Sequence, residues 1–288
     1  MTPHLQLNLL VDLRVLLSFP FMVSAAEAGT VVAVLAGVLG WWVVLRRQSF
    51  LAHTLATVSF PGAAFAVLLG VAAAWGALVA TVIAALVLAS LPVALVGKGP
   101  GTSGAAIGTV QALALALGLA ATTWYHGYAE SATALLFGSF LGITSTEVVL
   151  LALIAAGAVL AITLIARPLL LTSVDPVVAA ARAVPVRALS TIFVVLLGVA
   201  VAEVSQITGA LLVFALLVMP AASAQALTAS PARGLLLSVV LGIGIMWTSL
   251  FAGFYAPGIP IGFWVTSIGF ALYLSTQLFA ARRSLAAR

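Results

Sequence analysis

Apolar runs about 20 residues long recur nearly end to end in this chain, separated only by short polar breaks. A helix needs ~20 residues to cross ~30 Å of hydrocarbon. Runs at 24–45, 50–71, 76–96, 105–124, 146–166, 189–207, 209–227, 235–255 and 261–279 therefore predict about nine transmembrane helices. Residues 5–21 carry Asn8, Asp12, Arg14 and Pro20 and read as an interfacial helix. The count becomes ten if that segment crosses, and eight if one short segment does not. The fold class is all-α, a polytopic transmembrane helical bundle. With 64% hydrophobic and 6% charged residues, a water-soluble globule is excluded.

Charge sets the orientation. Threaded through nine crossings, all of the eleven Lys and Arg residues except Arg14 fall on one side, at Arg46, Arg47, Lys98, Arg167, Arg182, Arg187, Arg233, Arg282, Arg283 and Arg288. Lys and Arg stay on the cytoplasmic side, so that side is inside and the amino terminus outside. The net charge of +5 thus marks topology, not nucleic-acid binding. The domain reading is an amino-terminal interfacial segment over 1–23, one transmembrane domain over 24–281, and a basic tail over 282–288. The start lacks the basic region of a cleavable leader. Zero cysteines remove disulfides and thiolate metal sites. Neither a phosphate-binding Gly-x-x-x-x-Gly-Lys-Ser/Thr loop nor a His-Glu-x-x-His pair is present, so the chain reads as a transport subunit and not an enzyme.

The one long polar interruption spans 167–187. Asp175 is placed to cap free N–H groups, Pro176 suits a first helical position, and Pro185 stops what begins there. The spacing predicts two to three turns of cytoplasmic helix over about 175–184, between two spans. A second short apolar piece, within 131–144, is too short to cross and reads as an outer or re-entrant helix.

Ionisable groups at membrane depth are costly and are functional candidates for that reason. His53 lies near the inner end of its span, and Thr57, four residues on, shares its helix face. The alternative for His53 is a neutral imidazole bonded to a neighbouring carbonyl. Glu203 is the one carboxylate deep in a crossing, towards the outer end, with Gln206 on the same face; the alternative is a solvated interfacial glutamate. Thr57 and Ser59 serve either the pathway or their own helix's carbonyls. Met219 is a soft ligand or packing. His126, Glu130, Glu147 and Glu27 gather on the outer side, as metal-receiving or merely interfacial polarity.

Four stretches resemble the permease subunits of bacterial ABC importers for zinc, manganese and ferrous iron. They are Val44-Leu45-Arg46-Arg47-Gln48-Ser49-Phe50 with Pro61-Gly62, then Leu136-Phe137-Gly138-Ser139-Phe140-Leu141-Gly142. Asp175-Pro176 through Arg187 follows, with Gly209-x-Leu211-Leu212 and Pro220-Ala221 a span later, and Ile259-Pro260-x-Gly262 closes the set. The likeness covers 20–280 in order.

The resemblance implies a type II importer permease in the bacterial cytoplasmic membrane, paired with a second permease copy. It further implies a cytoplasmic ABC ATPase that alone binds ATP, and an extracytoplasmic metal-binding protein. The cargo would be a divalent metal, zinc or manganese. The 175–184 helix would be the coupling helix, with Asp175, Ala179, Arg182, Ala183 and Arg187 facing the ATPase. Pro61, Gly62, Gly138, Gly209, Pro220, Pro260 and Gly262 would be its structural positions and His53 and Thr57 its metal contacts, to which Glu203 is added as the carboxylate deep in a crossing.

The family has Asp-x-x-Ser-His-x-x-x-Pro-Gly at the second span. Here His53 stands at the Asp and Thr57 at the His, which leaves a metal chelate as alternative cargo. A gradient-driven transporter would show internal repeats and charged relays. A membrane-embedded enzyme would need His53 and Glu203 together; helical rise puts them at different depths.

Overall fold

A computed structural model describes residues 9–90, 102–124, 136, 138, 142–210, 212–256 and 258–286. The Lys98 loop, His126, Glu130 and most of 131–144 lie outside those residues. The described helices are α1 (Leu9–Leu17), α2 (Pro20–Leu45), α3 (Ser49–Leu68), α4 (Ala73–Ser90), α5 (Thr102–Trp124), α6 (Ser145–Val174), α7 (Pro176–Ala181), α8 (Val186–Thr208), α9 (Val213–Leu227), α10 (Pro231–Tyr255) and α11 (Ile261–Ala286). Eight of them are long and apolar enough to span a bilayer, and α9 is a shorter apolar helix. The nine runs read from sequence are these nine helices.

Three boundaries differ from the sequence reading. Helix α6 does not stop before Arg167 but continues through Pro168 to Val174, because one missing N–H is a smaller loss than the burial of Leu169 and Thr172 in the turns beyond it. Helix α7 is correspondingly short, six residues in place of two to three turns. Gly209, Ala210 and Leu212 are not helical, Gly209 having φ 78°, and α9 begins at Val213.

Lipid supplies no hydrophobic drive between helices, so close approach of backbones holds such bundles together. Helix α2 is the central post, with 16 of its 26 residues buried. It packs on α10, where Ser238 donates to the Gly37 carbonyl at 2.8 Å and Trp247 to Thr30 Oγ1 at 3.0 Å. It packs also on α9, where Gln225 donates to the Trp41 carbonyl at 2.8 Å. Helices α3 and α4 approach through Gly62 and Gly76, each of which leaves no room for a Cβ against the other's carbonyl. Outward-facing Leu153, Leu160 and Leu164 of α6 suit an acyl-chain environment.

Gly138, with φ 82°, lies against the Ile207 carbonyl and the backbone of Gly209. Two of the stretches picked out in the sequence thus meet in space. At the α10–α11 corner, Phe263 N–H donates to the Pro260 carbonyl at 3.0 Å and Thr266 Oγ1 to that of Gly262 at 2.9 Å, which opens the last helix.

Gly62→Val is expected to cost about 1–3 kcal/mol through overpacking of α3 on α4. Gly157→Val, at a position with open space around it, should be neutral. Thermal unfolding of the detergent-solubilised protein compares the two.

Candidate functional site

Charged side chains among the described residues lie towards the two ends of the bundle. At the basic end, α7 is closed at both termini. Asp175 Oδ1 accepts from Val177 N–H at 3.0 Å and Val178 N–H at 2.9 Å. Beyond Arg182 the chain turns left-handed at Ala183, φ 56°, with Val184 N–H donating to the Ala179 carbonyl and Ala183 N–H to that of Ala180. That double bond is the Schellman closure, usually built on glycine. Ala179 is buried while Val177 and Val178 are exposed, so α7 sits on the bundle with an apolar edge outward.

What anchors this end is a residue that the sequence marks only as a charge. Arg46, capping α2, donates from Nη1 to Ser173 Oγ at 2.9 Å and Thr172 Oγ1 at 3.5 Å, and from Nη2 to Ser190 Oγ at 2.9 Å. Its guanidinium lies 5.1 Å from the Phe193 ring centre. Thr172 and Ser173 end α6 and Ser190 lies in the second turn of α8, so one guanidinium ties α2 to both helices that flank α7. Hydroxyls at two helix ends were the available signal, but nothing in their spacing says they share a partner. Arg47, next in sequence, takes φ 56° and closes α2 by the same Schellman pattern, with Gln48 N–H on the Val43 carbonyl at 2.9 Å.

His53 lies in the second turn of α3, edge-on to Phe214 of α9 with ring centres 5.7 Å apart. Its Nδ1 is buried and without a hydrogen-bond partner. Thr57 Oγ1 donates to the His53 carbonyl at 2.9 Å, so its proton serves its own helix. Ser59 does the same to Ala56 at 2.6 Å. Met219 packs on α11 beside Gly269.

Glu203 stands near the far end of α8 with 2% exposure. Gln206 Nε2 donates to its Oε1 at 3.4 Å, while Oε2 is buried and unpartnered. Two adjoining hollows, about 200 and 40 Å³, lie here among α3, α4, α6 and α8, and Glu147 and Gln206 line both. Glu147 also completes a capping box at the start of α6, its Oε2 accepting from Thr144 N–H at 2.8 Å. Counting helical rise from the Arg46 level, His53 and Glu203 differ in depth by roughly 10–15 Å. The structure therefore does not gather them into one shell. Among the described residues no three His, Cys, Asp or Glu side chains come together.

The model of one family, described as ABC 3 transport family, matches residues 18–280. The chain belongs to that family. As an ABC 3 member it is a permease, a multi-pass membrane subunit of the bacterial inner membrane. Among ABC 3 relatives, the manganese transport system membrane protein MntC of Halalkalibacterium halodurans is 30% identical over 83% of this chain and 80% of its own length. The manganese import system permease protein ScaB of Streptococcus parasanguinis is 29% identical over 92% of both chains. Among solved structures, PsaBC from Streptococcus pneumoniae in complex with Fab superposes with a TM-score of 0.81 at 26% identity, covering 93% of this chain and 94% of that one.

Replacing Arg46 by Ala removes charge-assisted bonds from a partly buried junction and should cost about 2 kcal/mol. Arg46→Lys, which cannot fork to three hydroxyls, should recover less than half of that. Denaturation of the purified protein reads both.

Proposed function

We propose that this chain forms the translocation pathway of an ATP-driven importer for a divalent transition metal, manganese before zinc. The observation that carries the coupling half of this reading is α7: capped at both ends, exposing Val177 and Val178, and flanked by helices that Arg46 holds together. A cytoplasmic ABC ATPase would seat against Asp175, Arg182, Ala183 and Arg187, whereas Ala179, expected from the sequence to face it, is buried and seats α7 on the bundle instead. The chain carries no phosphate-binding loop, so ATP is bound and hydrolysed by that partner. A metal-binding protein would dock at the opposite end, and a second permease copy would complete the pathway. The manganese in the names of both relatives supports that ion over zinc.

In this reading, closure of the ATPases moves α7. Arg46 passes the motion to α2 as well as to α6 and α8, so the helices tilt as packed rods in a hinge-and-shear transition. His53, with its unpartnered Nδ1, is the imidazole available to the ion on the inner half of the path. Thr57 contributes at most a lone pair, its proton being engaged.

Reconstituted with the ATPase and binding protein, Asp175→Lys and Arg182→Glu should retain basal ATP hydrolysis and lose Mn²⁺ uptake; uptake at the unmodified rate in both variants would overturn the coupling assignment. His53→Ala should lower uptake roughly tenfold, about 1.4 kcal/mol in barrier terms. Thr57→Ala should leave uptake close to that of the unmodified protein. Radiotracer or fluorophore-quench uptake into vesicles distinguishes the two.

A further inference from the structure

A buried carboxylate oxygen with no donor facing it is among the costliest groups a bundle can contain. Glu203 Oε2 is such an atom, and the side chain borders the smaller hollow, where Glu147 and Gln206 also meet it within an otherwise apolar wall. Gln206 and Glu147 also line the adjoining larger hollow, to which Ser59 and Ser205 belong, and the polar groups of the two together are oxygen ligands. Gln206 turns its amide N–H to Glu203 at 3.4 Å, which leaves its carbonyl oxygen unused. Ser205 Oγ donates to the Ala202 carbonyl at 2.8 Å and Ser59 Oγ to that of Ala56 at 2.6 Å, so each hydroxyl proton is committed and its oxygen can only accept. Glu147 holds its cap through Oε2, and Oε1 takes no part in it. A chamber of about 200 Å³ has room for several waters beside an ion.

We propose that Glu203, Gln206 and Glu147, with the Ser59 and Ser205 hydroxyls, form a binding chamber for a partly hydrated hard divalent cation within one protomer. The donor set is carboxylate, amide carbonyl and hydroxyl, with neither thiolate nor imidazole, and such ligands suit Mn²⁺, Mg²⁺ or Ca²⁺ better than softer ions. Glu147 is exposed and Glu203 buried, so the chamber grades from an open carboxylate to a closed one. An ion arriving at the acidic end would trade water for protein oxygens there, before the deeper step at His53. The choice of Mn²⁺ as the ion rests on the import reading; the chamber itself does not.

The test is Mn²⁺ binding to the full-length permease in nanodiscs with its ATPase, following the six-line paramagnetic resonance of the free aqua ion, with uptake by the same complexes measured alongside. Unmodified protein should bind one more ion in the micromolar range than E203Q. E147Q should weaken that site roughly threefold to tenfold, and H53A should leave it in place. Binding by E203Q and E147Q equal to that of the unmodified protein overturns the chamber. Should E203Q not yield a monodisperse complex, E147Q decides, since Glu147 is exposed and Gln still accepts the Thr144 bond; unaltered binding there overturns the proposal. Import of Mn²⁺ with unaltered binding in the variants removes the chamber and keeps the importer. Loss of the site in E203Q by a complex that imports no Mn²⁺ keeps the chamber and removes the metal-import reading.

Discussion

Hydrocarbon offers a polar atom no partner, and almost every local decision in this protein answers to that fact. Backbone groups are satisfied within helices. Hydroxyls turn back to their own helix: Thr54, Thr57, Thr81 and Ser249 each donate to a carbonyl three or four residues earlier. The Gly37 and Trp41 carbonyls of α2 also accept from neighbouring helices, from Ser238 and Gln225. Helices can then touch through Gly37, Gly62 and Gly76 without stranding a donor. Against that background the few unsatisfied atoms stand out. His53 Nδ1 and Glu203 Oε2 are among them, one near each end of the bundle.

Charge divides along the same axis. Arg46, Arg167 and Arg187 sit with α7, whereas Glu147 and Glu203 occupy the opposite end, and Asp12 is held there by Tyr255, whose hydroxyl donates to its Oδ1 at 3.1 Å. A cation passing from the acidic end to the basic end is attracted on entry and meets like charge at exit. Asp175 is the acidic exception, and its carboxylate is occupied as a helix cap.

Most of the architecture could be read from the chain because hydrocarbon thickness turns length into topology: each apolar run became a helix, and the Asp175-Pro176 signal became a capped turn. The errors came where two local signals competed. Arg167-Pro168 looked like an ending, but Pro168 removes one bond from α6 while Leu169 and Thr172 beyond it are buried against neighbours. Pairings between distant segments were not legible at all. Nothing near residue 46 announces Ser173 or Ser190, and Gly138 gave no sign that it would lie on Gly209. The pairing of Glu203 with Gln206 was legible, because three residues along one helix is a local relation.

The length of α6 has a consequence of its own. Thirty residues make a rod of ~45 Å, some 15 Å more than the oily slab it crosses. Its capping box closes one end at Thr144 and Glu147, and at the other Leu169 and Thr172 are buried and Arg46 grips Thr172 and Ser173, so the extra length is braced against its neighbours. Because the same guanidinium also holds Ser190 of α8, a lean of this rod cannot stay local: the brace carries it into α2 and α8 together.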